Sequence, residues 1–444
     1  MAYFLAIIGG GPAGYTAAEM AAKAGKEVVL FERNAIGGTC LNVGCIPTKT
    51  LLYSAKQYYS ALHADKYGVQ AADVSFDYTK MVQRKTKVVR KLAAGIRQRL
   101  QGVTTVTGEA SVISRTDTCV TIQCGETTYE AENLLICTGS SSFIPPIPGI
   151  QNNPAIWDST AALESKELPA SVIIIGGGVI GMEFATLYNE LGVPVTIVEA
   201  LPRILATLDE CISDYLTPVY AKRGVNILTS TKVTAIEGNE VVLDNGERLQ
   251  GDKILVCVGR RANIQGLEAL TDLEYNRGAV VVDDFMRTNL PNVYAAGDVT
   301  GKIMLAHVAS RQAEVAVGRM LKQIPLQRIA YNAIPSVVYT YPEVASVGIS
   351  ENALEGCEAH TLPMTYSGRF VAENEGETGL CKIVVNTKSQ AIMGVHLVGN
   401  PSSEFIAAAS FAVRMGYTLP EFRQVVFPHP TVSEILRETI NEIQ

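Results

Sequence analysis

The chain has 444 residues, 47% of them hydrophobic and 18% charged, and its formal net charge is −7. This composition is ordinary for a packed globular protein, and the length suggests about three domains at roughly 150 residues each. The acidic balance, with no run of lysines or arginines, argues against a nucleic-acid partner. No apolar stretch is long enough to span a bilayer. We find no signal-peptide pattern either, so we expect a cytoplasmic protein without a membrane role.

The first predicted unit is a βαβ element. Residues 5–14, LAIIGGGPAG, combine an apolar strand with the turn Gly9-x-Gly11-x-x-Gly14, and a later strand ends at Glu32. Such glycines let the backbone approach a pyrophosphate at a helix N-terminus, while the acidic residue accepts hydrogen bonds from ribose hydroxyls. The pattern therefore predicts a dinucleotide-binding domain.

A cysteine-bearing segment follows, with Cys40 and Cys45 in the Gly-rich stretch 37–49, GGTCLNVGCIPTK. Gly38 and Gly44 allow backbone shapes that bring the two sulfurs together. Without a secretion signal, the nine cysteines are expected to be mostly reduced thiols, so an oxidised pair would be catalytic. A zinc site is disfavoured because no second pair with ligand spacing follows, and we predict no metal.

Spacing alone does not identify a redox pair, as Cys119 and Cys124 show. They have the same separation in a segment that alternates like a strand. There they would lie roughly 16 Å apart, whereas a disulfide requires Cα atoms within about 7 Å. We interpret these two cysteines as structural.

A second βαβ unit repeats the first. Residues 172–181, VIIIGGGVIG, contain Gly176-x-Gly178-x-x-Gly181, and the spacing from the first glycine to Glu199 is the same as in the first unit. A carboxylate beside the ribose 2′-hydroxyl favours NAD and repels the 2′-phosphate of NADP.

The two halves also end alike, in LLICTGS (134–140) and ILVCVGR (254–260), where Gly139 and Gly259 are candidate cofactor contacts. The stretch 292–301, NVYAAGDVTG, is another strand with a turn, and it indicates a return to the first domain. We therefore predict an α/β fold with two Rossmann-like domains plus an α+β domain. The predicted boundaries are 1–145 for the first domain, 146–262 for the second, 263–333 for the return segment and 334–444 for the last domain.

The cysteine segment, the two turns and the AAGD stretch, in this order, resemble the pyridine nucleotide–disulfide oxidoreductases, and among them most closely the lipoamide dehydrogenases. The resemblance covers essentially the whole chain. It implies FAD in the first domain, NAD in the second and a dimerisation domain at the C-terminal end.

The same resemblance implies roles for individual residues. Cys45 would be the sulfur beside the flavin, and Cys40 the sulfur that meets the substrate. Lys49 would lie near the flavin and pair with Glu183, and Asp298 would contact the ribityl chain.

A further motif is the sequence FPHPTVSE, which matches the HPTxSE pattern of the family. His429 would act as the base for the dithiol, and Glu434 would hold its imidazole in the required tautomer. In the family this motif serves the other subunit, so the resemblance implies an obligate homodimer.

Several relatives differ at diagnostic positions. Glutathione reductases carry arginines on the first helix, where this chain has Glu19 and Met20, and a tyrosine where it has Val179. Mercuric reductases and large thioredoxin reductases need additional C-terminal cysteines or selenocysteine, and flavin transhydrogenases lack the complete cysteine pair. Departures from the lipoamide dehydrogenase pattern are Phe427 and Ala262.

The resemblance thus implies oxidation of dihydrolipoyl groups to the lipoyl disulfide with transfer of a hydride to NAD+. The partner would be a lipoyl-bearing protein of a 2-oxoacid dehydrogenase or glycine-cleavage complex. An alternative is a related NAD(P)H-dependent reductase of another small disulfide. A docking subunit with secondary flavin chemistry is a further alternative, and the intact set of Cys40, Cys45 and His429 argues that it is not only that.

Overall fold

The computed structural model describes residues 2–323 and 328–443. The chain divides into two compact units, each assembled from three segments. The first unit contains Met1–Thr50, Lys80–Phe143 and Gly259–Ile329, and the second contains Leu51–Thr79, Ile144–Val258 and Ala330–Gln444. The boundaries predicted above for the functional domains remain predictions.

The helices are α1 (Pro12–Lys23), α2 (Gly38–Val43), α3 (Cys45–Leu62), α4 (Tyr78–Arg99), α5 (Ser159–Glu164), α6 (Val179–Glu190), α7 (Glu210–Lys222), α8 (Ala306–Met320), α9 (Gly368–Glu373), α10 (Ser402–Met415), α11 (Leu419–Phe422) and α12 (Glu434–Glu442). Short 3₁₀ turns cover Ala64–Tyr67, Asp298–Thr300, Tyr331–Ala333, Glu351–Ala353 and Met364–Tyr366.

The first strands along the chain are β1 (Tyr3–Ile8), β2 (Val28–Glu32), β3 (Thr104–Thr107), β4 (Ala110–Arg115), β5 (Val120–Cys124), β6 (Thr127–Ile136), β7 (Ser140–Ser142), β8 (Ile156–Trp157), β9 (Val172–Ile175), β10 (Val195–Val198), β11 (Asn226–Leu228) and β12 (Val233–Glu237). The others are β13 (Glu240–Leu243), β14 (Arg248–Gln250), β15 (Lys253–Val256), β16 (Arg260–Ala262), β17 (Tyr275–Asn276), β18 (Ala279–Val280), β19 (Val293–Ala295), β20 (Ser336–Val338), β21 (Val344–Gly348), β22 (Cys357–Leu362), β23 (Leu380–Asn386) and β24 (Ile392–Val398).

The first unit is built on a mostly parallel sheet in the order β3-β2-β1-β6-β5-β4, with β19 also paired to β6. The pairs β1–β2, β1–β6, β2–β3 and β6–β19 are parallel, whereas β4, β5 and β6 are antiparallel neighbours. Residues 5–8 of β1 and 28–31 of β2 are buried, as expected for central strands covered on both faces.

Helix α1 packs against α8 in this unit. Alanines form much of the buried face of each helix, including Ala13 and Ala17 in α1 and Ala309 and Ala313 in α8. Their short side chains let the helix backbones approach closely, because little volume separates them.

The second unit contains a fully parallel sheet in the order β11-β10-β9-β15-β8. It also contains the antiparallel sheet β12-β13-β14 and a five-stranded antiparallel sheet in the order β20-β21-β24-β23-β22. Helices α10 and α12 contact the last sheet and share its apolar core. A mostly parallel and a fully parallel sheet with crossover helices, and an antiparallel sheet with packed helices, confirm the predicted fold class.

Candidate active site

The first glycine turn connects β1 to α1. Gly9 has φ +110°, and a Cβ on it would lie 2.1 Å from the carbonyl oxygen of Cys137. A Cβ on Gly14 would lie 1.8 Å from the carbonyl oxygen of Gly9, so the helix packs directly on the turn. Gly11 is the N-cap of α1 and supplies no side-chain cap, which leaves backbone N–H groups at the helix N-terminus for an anionic ligand.

The second glycine turn, between β9 and α6, has the same geometry. Gly176 has φ +105°, and a Cβ on it would lie 2.6 Å from the carbonyl oxygen of Cys257. A Cβ on Gly181 would lie 2.0 Å from the carbonyl oxygen of Gly176, and Gly178 is an N-cap without a side-chain hydrogen bond. The internal repeat in the sequence is therefore a repeat of three-dimensional structure.

The acidic residue predicted for each βαβ unit, Glu32 or Glu199, holds the glycine turn of that unit through hydrogen bonds. The Glu32 carboxylate accepts hydrogen bonds from the backbone N–H groups of Gly10 at 2.8 Å and Asn34 at 2.9 Å. The Glu199 carboxylate accepts from Gly177 at 2.6 Å and from Leu201, two residues further along, at 2.7 Å. Each carboxylate oxygen has a second lone pair, so the same side chains can also accept hydrogen bonds from a ribose.

A polar network surrounds Asp298 at the start of the 3₁₀ turn after β19. The Ser140 hydroxyl donates to its carboxylate at 2.5 Å, and the Arg260 Nε lies 3.9 Å from the same oxygen. Arg260 also donates to the hydroxyl and the carbonyl oxygen of Ser140, each at 2.7 Å. Gly139 and Gly259, both with positive φ, flank Ser140 and Arg260 in the sequence. The network orients Asp298 by contacts that the sequence motifs did not reveal.

The cysteine segment folds into two helices rather than an extended loop. Cys40 lies in the short helix α2, and Cys45 is the first residue of α3. Gly44 separates them, and a Cβ on it would lie 2.9 Å from the carbonyl oxygen of Thr39. Gly44 thus permits close approach of the two helices at the point where the cysteines face each other.

The two thiols interact directly. The hydrogen bond with Cys45, burial and the charge of an ionised Cys45 all raise the pKa of Cys40, while Lys49 acts in the opposite direction. These effects favour the protonated form of the Cys40 thiol. It needs a base to become a nucleophilic thiolate, since the thiolate is the reactive form.

A histidine with the properties of such a base lies in the second unit. The Nδ1 of His429 lies 3.0 Å from one carboxylate oxygen of Glu434 and 3.2 Å from the other. Glu434 is buried, and the backbone N–H of Thr431, followed by His429 and Arg437, lowers its pKa. The anionic carboxylate fixes the tautomer that carries its proton on Nδ1, which leaves Nε2 as the proton acceptor.

The two remaining predicted side chains lie on helices. Lys49 is in α3, one turn after Cys45, and Glu183 is buried in α6. The Glu183 carboxylate accepts a hydrogen bond from the backbone N–H of Tyr339 at 3.1 Å. A pairing of Lys49 with Glu183 remains a prediction, as do the catalytic and binding roles of the other residues.

The described residues contain neither a metal-binding cluster nor a membrane-spanning helix. Within residues 2–323 and 328–443, no group of three or more His, Cys, Asp or Glu side chains is arranged to hold a metal ion. In the same residues, no helix combines the length and the apolar character needed to cross a membrane.

Comparison with known proteins decides the family. Residues 3–313 match the pyridine nucleotide-disulphide oxidoreductases, and residues 334–440 match the dimerisation domain of that family. The chain belongs to this family. It is 38% identical to the dihydrolipoyl dehydrogenase of Chlamydia muridarum, and the match covers 99% of this chain and 96% of that protein.

Two solved structures have the same fold and match nearly the whole chain. The HOCl-induced flavoprotein disulfide reductase RclA from Escherichia coli has a TM-score of 0.87 at 29% identity, and the match covers both chains completely. LpdA from Mycobacterium tuberculosis has a TM-score of 0.91 at 27% identity, covering 99% of each chain.

Family membership makes this chain an oxidoreductase with FAD and NAD as its cofactors. The residues present fit both groups. Each glycine turn ends in a helix N-terminus without a side-chain cap and is braced by a carboxylate suited to a ribose. The dimerisation domain supports a homodimer.

No sequence motif indicates one buried acid, Glu190 at the end of α6. Its side chain is buried, and neither carboxylate oxygen has a hydrogen-bond partner among the described residues. Burial raises its pKa to about 8, although the charges of Arg223 and Lys56 oppose the shift. Only the tertiary packing around Glu190 distinguishes it from an exposed helix residue.

Proposed function

We propose that this enzyme is a dihydrolipoamide dehydrogenase, which oxidises protein-bound dihydrolipoyl groups to the lipoyl disulfide and passes a hydride to NAD+. The observation that carries the proposal is the Cys40–Cys45 pair, in which two thiols on successive helices interact directly. Similarity over nearly the full length to dihydrolipoyl dehydrogenases supports the choice of substrate.

The chain's own residues supply the thiol chemistry. With the pair oxidised, His429 removes a proton from one substrate thiol, and the resulting thiolate attacks the sulfur of Cys40. The Cys40–Cys45 bond breaks, and Cys45 leaves as a thiolate. The second substrate thiol then attacks the substrate sulfur of the mixed disulfide, which closes the lipoyl ring and releases Cys40 as a thiolate.

The protons of the two substrate thiols both have an acceptor. Cys40 takes up one proton from His429, as its raised pKa favours, and the second substrate proton goes to solvent. Glu434 stabilises the imidazolium that forms in between. Held at the turn of Gly9, Gly11 and Gly14, FAD would supply the two-electron chemistry that connects the reduced cysteine pair to NAD+.

We propose that His429 acts on the cysteine pair of the partner subunit in a homodimer. Its side chain is 80% exposed although its orienting carboxylate is buried, which suits a base that completes a site on another chain. We further propose a lipoyl-bearing protein of a 2-oxoacid dehydrogenase or glycine-cleavage complex as the partner, and a cytoplasmic location.

Similarity to RclA favours a second candidate, an NAD(P)H-dependent reductase of another small disulfide. Steady-state kinetics test the two candidate functions. The rates to compare are those with dihydrolipoamide and NAD+, with NADH and glutathione disulfide, and with NADH and coenzyme A disulfide. We expect kcat/KM for dihydrolipoamide to exceed the other two by at least about a hundredfold, a difference of ~2.7 kcal/mol in transition-state stabilisation. A higher value for either other disulfide would contradict the proposed substrate.

A further inference from the structure

The loop between β10 and α7, residues 200–208, packs directly on the second glycine turn. The backbone N–H of Leu205 donates a hydrogen bond to the carbonyl oxygen of Gly177, in the middle of that turn, at 2.8 Å. A Cβ on Gly177 would lie 2.9 Å from the Cγ2 atom of Ile204, so the loop and the turn are in close contact. The position of this loop therefore affects the shape of the turn that is predicted to hold NAD.

The cysteine segment has the corresponding position in the first unit. There the backbone N–H of Gly37 donates to the carbonyl oxygen of Gly10 at 2.8 Å. Gly37 has φ +101°, whereas Leu205 has φ +50°, a left-handed conformation that is unfavourable for a bulky side chain. Because Leu205 lacks the freedom of a glycine, the 200–208 loop needs contacts elsewhere to keep this conformation.

A buried cluster of charged side chains holds the end of the loop. Asp209 is the N-cap of α7, and its carboxylate accepts a hydrogen bond from the backbone N–H of Cys211 at 3.1 Å. The Nζ of Lys382, on β23, lies 3.1 Å from the same carboxylate oxygen and 3.0 Å from an oxygen of Glu351. The Nε2 of His396, on β24, lies 3.7 Å from the other oxygen of Asp209. Through Asp209, the loop is thus anchored to the sheet of the dimerisation domain.

The two central groups of this cluster form a buried ion pair. Burial opposes ionisation of Asp209, but hydrogen bonds from Cys211 and Lys382 lower its pKa to about 2. Burial also opposes the charge of Lys382, but Glu351 and Asp209 raise its pKa. Both partners are therefore charged at neutral pH. Removing one of them would leave the other as an uncompensated buried charge, which would disturb the end of the loop.

We propose that Asp209 and Lys382 are positioning residues for coenzyme binding. Their ion pair fixes the end of the 200–208 loop on the dimerisation sheet, so that the second glycine turn has its binding conformation before NAD arrives. Without the anchor, the coenzyme would have to order the loop itself, and the ordering cost would weaken binding. The inference concerns the coenzyme alone, so it holds whichever disulfide is the substrate.

The test measures binding of adenosine diphosphate ribose to the oxidised, FAD-loaded enzyme by isothermal titration calorimetry, which requires no turnover. We expect Lys382→Gln to raise the Kd about tenfold, and Lys382→Arg, which keeps the charge, to raise it by less than about threefold. Lys388→Gln is the matched control, because it removes the same charge from the exposed turn that follows β23. Its Kd should equal that of the unchanged enzyme.

A double-mutant cycle tests whether Asp209 and Lys382 act together. Asp209→Asn should also raise the Kd about tenfold, and the double variant with Lys382→Gln should show about the same tenfold loss, rather than the roughly hundredfold loss of two independent effects. The double variant leaves neither partner of the ion pair as a lone buried charge, so it keeps the test open where a single variant does not fold.

An unchanged Kd in Lys382→Gln and in the double variant, with FAD bound, would overturn the proposal. So would an equal loss in Lys388→Gln, or a double variant whose loss is the product of the two single losses. Steady-state rates with dihydrolipoamide are a separate measurement, so a failure of the proposed function is distinguishable from a failure of this inference.

Discussion

His429 keeps its Nδ1 3.0 Å from the buried Glu434 carboxylate while 80% of its side chain remains exposed. Such an arrangement holds the imidazole in one tautomer and presents Nε2 outward. The pair thus has the form of an oriented base whose reaction partner lies on another surface.

Mixed dimers test whether that surface belongs to the second subunit. Cys40→Ser and His429→Ala homodimers should each lose activity, on the order of a hundredfold or more for loss of the base. A purified heterodimer of the two variants should regain roughly half the activity, because one of its sites has intact cysteines and receives His429 from its partner. Heterodimers that are FAD-loaded and dimeric yet show no recovery would rule out the shared site.

The cysteine next to the flavin should give a spectroscopic signal. We expect one equivalent of NADH, added anaerobically, to produce a long-wavelength charge-transfer band that disappears in Cys45→Ser. Cys119→Ser is the control, since Cys119 is a free cysteine with the same spacing to its neighbour Cys124, and it should keep the band. Persistence of the band in Cys45→Ser would contradict the assignment of the flavin-side sulfur.

Coenzyme preference should depend on Glu199. Its carboxylate is held by two backbone N–H groups, so it cannot easily move away from a 2′-phosphate. We expect kcat/KM for NAD to exceed that for NADP by about a hundredfold. This ratio corresponds to a few kcal/mol of repulsion between the Glu199 carboxylate and the 2′-phosphate at a partly buried site. Glu199→Gln should reduce the preference at least about tenfold, whereas Glu247→Gln, on an exposed turn, should leave it unchanged. Equal use of the two coenzymes by the unchanged enzyme would refute the prediction.

Stability at alkaline pH should depend on Glu190. Its pKa is raised from 4.5 to about 8 in the folded state, so its contribution to stability is present below pH 4.5 and is lost as pH rises to about 8. Glu190→Gln keeps the neutral form at every pH. At pH 9 the substitution should stabilise the protein by a few kcal/mol relative to the unchanged protein, since one pKa unit corresponds to ~1.4 kcal/mol. At pH 4.5 it should change the stability little. Calorimetric Tm values at both pH values check this, and an equal gain at each would count against it.

Local signals explain which parts of the site were predictable from sequence. The first and third glycines of both turns are required by close backbone contact, and the first also by positive φ, so a short motif is sufficient to identify them. The contacts that orient Asp298 join residues far apart in the sequence, and no local pattern indicates them.

The helical form of the cysteine segment was only partly anticipated. The glycines around the two cysteines indicated close approach of the sulfurs, but no local pattern indicated the separate short helix that carries Cys40. The junction of the two helices at Gly44 lies against the backbone of Thr39, which is a contact of the folded chain.

Because the glycine turn is duplicated, the turns alone cannot determine which cofactor, FAD or NAD, each domain selects. FAD and NAD have an adenosine diphosphate half in common, and the repeated elements, an uncapped helix N-terminus and a braced glutamate, are suited to that half alone. Neither turn can therefore distinguish flavin from nicotinamide by itself. Discrimination has to come from residues beyond the repeat, and we expect Asp298, held by Ser140, to contribute to it in the first unit. Free adenosine diphosphate should consequently compete at both turns, whichever cofactor each normally holds.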